Sequence, residues 1–202
     1  MLHIWGIFCK FGTSFVTKAI MKTIKYLLLL AVLVSAKGIS QEIKWMTLEE
    51  AVALQKKNPK KIMMDVYTNW CGPCKMLDKN TFHNKDVVDY VNQHYYAVKF
   101  NGEGKDVITY NGNTFSNPGY DPARANSRNS AHQLASYLRI SAYPTIVFFD
   151  ERGEVIHPIR GYQKPQGLEL YLKMFKDDKH KDMKTQEDFN AYYSAFKPEF
   201  KE

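Results

Sequence analysis

Ile62-Met63-Met64-Asp65-Val66-Tyr67-Thr68, followed after Asn69 by Trp70-Cys71-Gly72-Pro73-Cys74-Lys75, sets an apolar run directly before a pair of cysteines. The run is apolar on both of its alternating faces except at Asp65, which describes a central strand covered by helices on both sides. Met76 and Phe82 continue at helical spacing, so a helix is predicted over 71–82 with the cysteines at its start. Two cysteines three apart at a helix start share one face and can approach to the ~5.5 Å Cα separation of a disulfide. Free N–H groups and the partial positive charge at a helix N-terminus favour thiolate over thiol. Cys71 is therefore expected to be the exposed attacking thiol, and Cys74, one turn further in, the thiol that resolves a mixed disulfide. Two other readings are weaker. A zinc site needs four ligands, no second Cys-x-x-Cys exists, and His83, His94, His132, His157 and His180 are scattered. A purely structural disulfide this short would constrain little unfolded-state entropy. The residues alone give a redox-capable pair.

Outward from this centre, strand and helix alternate. Thr47 and Glu50 form a capping box for a helix over Leu48–Lys57, stopped by Asn58-Pro59. A helix over 85–94 carries Val87, Val88 and Val91, and Tyr95–Asn101 reads as a second strand. Ala131–Leu138 reads as a further helix. Thr145–Phe149 and Glu154–Gly161 form a hairpin joined by Asp150-Glu151-Arg152-Gly153, and Gly167–Lys176 is the next helix. A β-α-β start followed by a hairpin and a helix gives a layered α/β fold with a mixed sheet. Gly102–Ser130, rich in Asn, Gly, Ser and Pro, is too long for an ordinary connection. Beyond Asp177 the chain is charged to Asp188, then carries Phe189, Tyr192, Tyr193, Phe196 and Phe200 at roughly helical spacing. This tail reads as a helix packed on the domain surface, with a partner-docking helix as the alternative.

The 202 residues, 45% apolar, suffice for one domain with a real core. The net charge of +7 does not imply nucleic acid. Residues 1–40 hold Lys10, Lys18, Lys22, Lys25 and Lys37 and no acid, leaving 23 basic against 21 acidic residues beyond them. Residues 21–40 combine a basic start, the apolar run Leu27 to Val34 and a small-residue exit, the three parts of a signal peptide. The run is shorter than the ~20 residues of a membrane span. Cleavage after Ala36 or Ser40 is expected, with Ser40 preferred, and without a cysteine at the exit no lipid anchor is expected. Residues 1–20 read as an over-extended start with Met21 as initiator, which would remove Cys9. An exported chain then carries only Cys71 and Cys74, and outside the cytoplasm they form a disulfide unless something keeps them reduced.

Trp70-Cys71-Gly72-Pro73-Cys74-Lys75 after a buried strand, with Tyr143-Pro144-Thr145 before a later one, resembles the thioredoxin superfamily over residues 44–176, the segment 102–130 apart. Met64-Asp65-Val66-Tyr67 with Lys79-Asn80-Thr81-Phe82 looks most like the C-terminal thioredoxin-like domain of periplasmic disulfide reductases, and equally like small exported thioredoxin-like proteins. The resemblance implies a thioredoxin fold over 41–178: a central mixed β-sheet flanked by helices, with an insertion, 102–130, before the helix preceding the cis-Pro loop. The tail 179–202 would add an extra C-terminal helix. It implies thiol–disulfide exchange through Cys71 and Cys74. Asp65 matches a buried acid of raised pKa that takes the proton of Cys74, a structural Asp being the alternative. Pro144 matches the family's cis-proline, beside which Tyr143 would present its backbone to an extended substrate strand. Trp70 matches the aromatic that flanks the attacker, packing being its alternative.

Gly72 and Pro73, which complete the substrate-binding set with Trp70, Tyr143 and Pro144, resemble the dipeptide of reducing thioredoxins. The expectation is a periplasmic or secreted thiol–disulfide reductase, monomeric, without metal or bound cofactor, exchanging with protein thiols and disulfides and fed by a membrane electron donor. A disulfide oxidase or isomerase, or a non-catalytic binding module, are the alternatives. The insertion is expected to leave from the active-site edge, with Tyr110, Phe115, Tyr120, Arg124 and Arg128 lining a groove beside Cys71 and Tyr143. Its excision is expected to spare the fold.

Overall fold

The computed structural model describes residues 42–201, with Met21 and Lys25 as isolated positions ahead of them. The chain divides into Met1–Ser40 and Gln41–Glu202, and the sheet and its helices belong to the second unit. The expectations for the start codon, the signal segment and its cleavage lie outside the described residues.

β1 (Trp45–Met46) leads into helix α1 (Leu48–Gln55), then β2 (Lys61–Tyr67), α2 (Gly72–Leu77), α3 (Lys85–His94) and β3 (Tyr95–Asn101). The inserted segment holds β4 (Ile108–Tyr110) and β5 (Asn113–Phe115). Helix α4 (Gln133–Tyr137), strands β6 (Thr145–Phe149) and β7 (Val155–Arg160), and helices α5 (Pro165–Lys176) and α6 (Gln186–Ala195) complete the chain. The main sheet has the order β1-β3-β2-β6-β7. β3 runs parallel to both β1 and β2, while β6 is antiparallel to β2 and to β7. α1 opens with the expected capping box, Thr47 Oγ1 accepting the Glu50 N–H and the Glu50 carboxylate accepting that of Thr47.

β2 is buried from Lys61 to Val66, and its alternation assigns its residues to two cores. Ile62, Met64 and Val66 pack with Leu48, Val98, Phe100, Leu134, Val147 and Phe149. Met63 packs on the other face with Leu77, Phe82, Val87, Phe148, Leu168 and Leu172. Each fully buried Met or Phe here contributes about 1.5–3 kcal/mol of transfer free energy. Asp65 is two residues beyond Met63 and so shares its face, the one covered by α2. That parity puts a carboxyl beneath the cysteine helix.

Two expectations change. The helix predicted over 71–82 is α-helical only to Leu77, and Asp78–Phe82 forms a π-helical turn. The inserted segment is no solvated groove wall throughout. β4 and β5 pair as a hairpin around Asn111 and Gly112, both at positive φ, the requirement of a two-residue type I′ turn. Ile108, Tyr110 and Phe115 are buried in the second core, and the Tyr110 hydroxyl donates to the Gly153 carbonyl at 2.6 Å. Excision of 105–126 would therefore open that core, contrary to expectation.

The tail is a packed helix. Thr185 and Asp188 form its capping box, and Phe189, Tyr192 and Phe200 rest on the first core. The buried Glu169 carboxylate of α5 accepts the backbone N–H groups of Glu199 and Phe200. Among the described residues, no helix is long and apolar enough to cross a membrane.

Candidate active site

Cys71 is the N-cap of α2, its Sγ accepting the Cys74 N–H at 3.1 Å. Pro73 sits in the first turn, where its missing N–H leaves nothing unpaired. Cys71 and Cys74 are joined as a disulfide with Cα atoms 5.3 Å apart. Gly72 faces open space, with no heavy atom within 4 Å of where a Cβ would stand. The attacker is less accessible than expected. Cys71 is only 2% exposed, less than the 5% of Cys74. It lies in a cavity of about 440 Å³ walled by Trp70, Pro73, Glu103, Arg128, Ser141, Ala142 and Tyr143. The covering groups beyond Trp70 and Pro73 come from the insertion (Glu103, Arg128) and from the loop before β6 (Ser141, Ala142, Tyr143), which α2 by itself does not announce.

Those walls are tied together. The Trp70 indole N–H donates to Glu103 Oε2 at 2.7 Å, and the same oxygen accepts the Asn129 N–H at 2.8 Å. Trp70 meets Tyr143 edge to face at a centroid distance of 6.3 Å, and the Arg128 guanidinium lies over the Trp70 ring at 4.9 Å. Gly102 donates its N–H to the Tyr67 carbonyl, and a Cβ there would stand 2.6 Å from Tyr143 Cε1. A side chain at 102 would thus displace the aromatic wall. The Tyr143–Pro144 peptide is cis. Burial, with the Glu103 charge adding to it, pushes the Tyr143 phenol up to about 12, so it remains a neutral hydroxyl. Of the insertion residues expected here, only Arg128 lines the cavity; Tyr110 and Phe115 face the core, and Tyr120 and Arg124 are absent from its walls.

A second cavity of about 540 Å³ is lined by Asp65, Thr68, Cys74, Lys75, Asp78 and Lys99, among others. Asp65 Oδ1 is buried without a hydrogen-bond partner, and Oδ2 is 3.8 Å from Lys99 Nζ, an ion-pair distance beyond hydrogen bonding. Burial pushes this carboxyl up to about 7; the Lys99 charge works against the rise and the Asp78 charge adds to it. Lys99 stands directly opposite Asp65 in the parallel β2–β3 register and pairs with Asp78. It also lies over the rings of Trp45, Tyr67 and Phe82. Sequence reasoning missed both Lys99 and Asp78. A charge inside a strand read as buried, and an acid four residues past Cys74 on the same helix side, were the available signals. Of the expected site residues, Cys71 shares one cavity with Trp70, Pro73 and Tyr143, and Cys74 shares the other with Asp65, whereas Gly72 and Pro144 line neither.

A thioredoxin-like domain family model matches residues 48–176. The thiol:disulfide interchange protein DsbD of Citrobacter koseri is 26% identical over 198 residues, covering 85% of this chain and 31% of that protein. DsbD of Escherichia coli O157:H7 is 25% identical over 190 residues, covering 81% and 29%. The chain thus spans less than a third of these relatives' length. Among solved structures, a thioredoxin-fold protein from Helicobacter pylori superposes with a TM-score of 0.55 at 21% identity, covering 79% of this chain and 91% of that one. With a family match over residues 48–176, well over half of the chain, and the fold in agreement, the chain belongs to the thioredoxin-like domain family.

Proposed function

We propose that the chain is a thiol–disulfide oxidoreductase of the bacterial cell envelope that reduces protein disulfides. The observation that carries this is the Cys71–Cys74 pair at the start of α2, with Cys74 opening on the same cavity as a buried carboxyl that titrates near neutrality. In the reduced pair, the Cys71 thiolate attacks one sulfur of a substrate disulfide. That S–S bond breaks, the far sulfur leaves as thiolate, and a mixed disulfide forms on Cys71. Cys74 passes its proton to the Asp65 carboxylate across their shared cavity, directly or through one water. Its thiolate then attacks Cys71, releases the second substrate thiolate, and closes the Cys71–Cys74 disulfide. Two electrons have passed to the substrate, and the cysteines carry them without a bound cofactor. Renewal of the dithiol requires an electron donor. The leader and the DsbD relatives support a membrane donor and a periplasmic or secreted location.

The test is turnover of a protein disulfide by the wild type, Cys71→Ser and Cys74→Ser. Cys71→Ser is expected to be inactive and Cys74→Ser to accumulate a mixed disulfide; substantial turnover by Cys71→Ser overturns the proposal. Equilibration with glutathione fixes direction. A potential near −270 mV, roughly that of thioredoxin, fits a reductant, whereas one above about −180 mV would assign an oxidase or isomerase.

A further inference from the structure

The insertion brings a cation to the mouth of the Cys71 cavity and holds its backbone in place. Asn129 is fixed by four contacts: its N–H to Glu103, its side-chain amide to the Asp121 carbonyl, and its Oδ1 from the N–H groups of Asp121 and Ser130, all within 3.0 Å. Arg128, one residue earlier, lays its guanidinium on the Trp70 face 4.9 Å from the ring centroid and lines the cavity. The stack uses the face of the guanidinium and leaves the N–H donors along its edge. Among the described residues, no carboxylate stands within 4.0 Å of it to form an ion pair. The nearby acid is partly committed elsewhere, since Glu103 Oε2 already accepts both the Trp70 and Asn129 N–H groups. Of the two charges in this cavity, the guanidinium is the one with donors to offer.

Resting on the reading of Cys71 as attacking thiol, we propose that Arg128 is a specificity-determining residue that binds a carboxylate flanking the reacting cysteine of an extended substrate segment. Two features favour an extended segment over a flat folded surface. Cys71 is set 2% exposed at the floor of its cavity, and the walls that recess it are braced by Glu103 rather than loose. A guanidinium pre-set on an aromatic face loses little freedom on meeting a planar carboxylate, so the pair forms with bidentate geometry.

The experiment compares kcat/KM for two matched peptide disulfides, one with Asp and one with Lys beside each cysteine. Wild type, Arg128→Gln and Arg128→Lys are tested at 20 mM and 500 mM salt. Wild type is expected to prefer the acidic peptide about fivefold at low salt, the scale of one partly screened charge pair, and less at high salt. Arg128→Gln should bring the ratio to about one, and Arg128→Lys should retain part of it. Arg128 is exposed, and matching melting curves establish that the variants fold. A merely structural role in holding Trp70 would slow both peptides equally and leave the ratio intact; that result overturns the proposal, as does a wild type with no preference or one for the lysine peptide. Glutathione disulfide serves as a third substrate: a comparable Arg128 dependence on it alone would refute the extended-segment assignment. If wild type reduces none of the three, the attacker reading itself fails, an outcome distinct from turnover without charge preference.

Discussion

Replacing Asp65 with Asn keeps the side chain's shape and removes its charge. The wild-type carboxyl titrates at 3.8 when solvated and at about 7 in the folded protein, chiefly because burial penalises the anion. A group whose pKa is raised by folding stabilises the native state fully below the lower value, and that contribution drains away as pH climbs through the upper one. At about 1.36 kcal/mol per pH unit, the difference between pH 4 and pH 8 is of order 4 kcal/mol against the wild type. The amide carries no such penalty. Asp65→Asn should therefore match the wild type within about 1 kcal/mol near pH 4 and exceed it progressively to pH 8, where the gain should be of order 4 kcal/mol. Urea unfolding of the oxidised proteins at pH 4.5, 6, 7.5 and 8.5 reads this directly. The same variant should resolve mixed disulfides more slowly, because Cys74 loses its proton acceptor. A stability difference that is flat across pH would refute the desolvation argument, and an unchanged resolution rate from pH 6 to 8 would leave Asp65 a purely structural residue.

Gly102→Ala forces Tyr143 to move, and should cost about 1–3 kcal/mol in thermal unfolding while lowering kcat/KM for protein substrates more than for a small disulfide. Phe115→Ala, a change that a solvated loop would ignore, should cost about 3 kcal/mol in urea because the ring is part of the second core. Glu169→Ala strands the N–H groups of Glu199 and Phe200 and should cost about 2 kcal/mol, with faster hydrogen exchange confined to the tail.

What could be read from the sequence was local. The apolar run of β2, the Thr47–Glu50 box, the turn at Asp150–Gly153 and the cysteine spacing each state their structure within a few residues. β1 could not be read, since two residues have no period; it exists because Trp45 and Met46 find Ala97 and Val98. The inserted hairpin did carry a signal, Asn111-Gly112, but its flanking strands are three residues each, too short for alternation to show. The depth of Cys71 depends on Glu103, Arg128 and Tyr143, more than thirty positions away. The Lys99–Asp65 juxtaposition comes from strand register, which is fixed only once both cores close.

The insertion is two things joined at Asn117. Residues 107–117 are load on the core, whereas 118–128 form a span pinned at both ends. Asn117 donates to the Gly104 and Ser130 carbonyls, its own amide oxygen accepts from the Ser130 hydroxyl, and Asn129 is clamped by Glu103. A span whose ends are already closed can change length at a modest entropic cost, about 0.6 kcal/mol per doubling. It is therefore a natural port for engineering: with Asp121 and Asn126 kept, because one holds Asn129 and the other lines the Cys74 cavity, the rest of the span can be exchanged to present a different chemistry beside the cysteine pair.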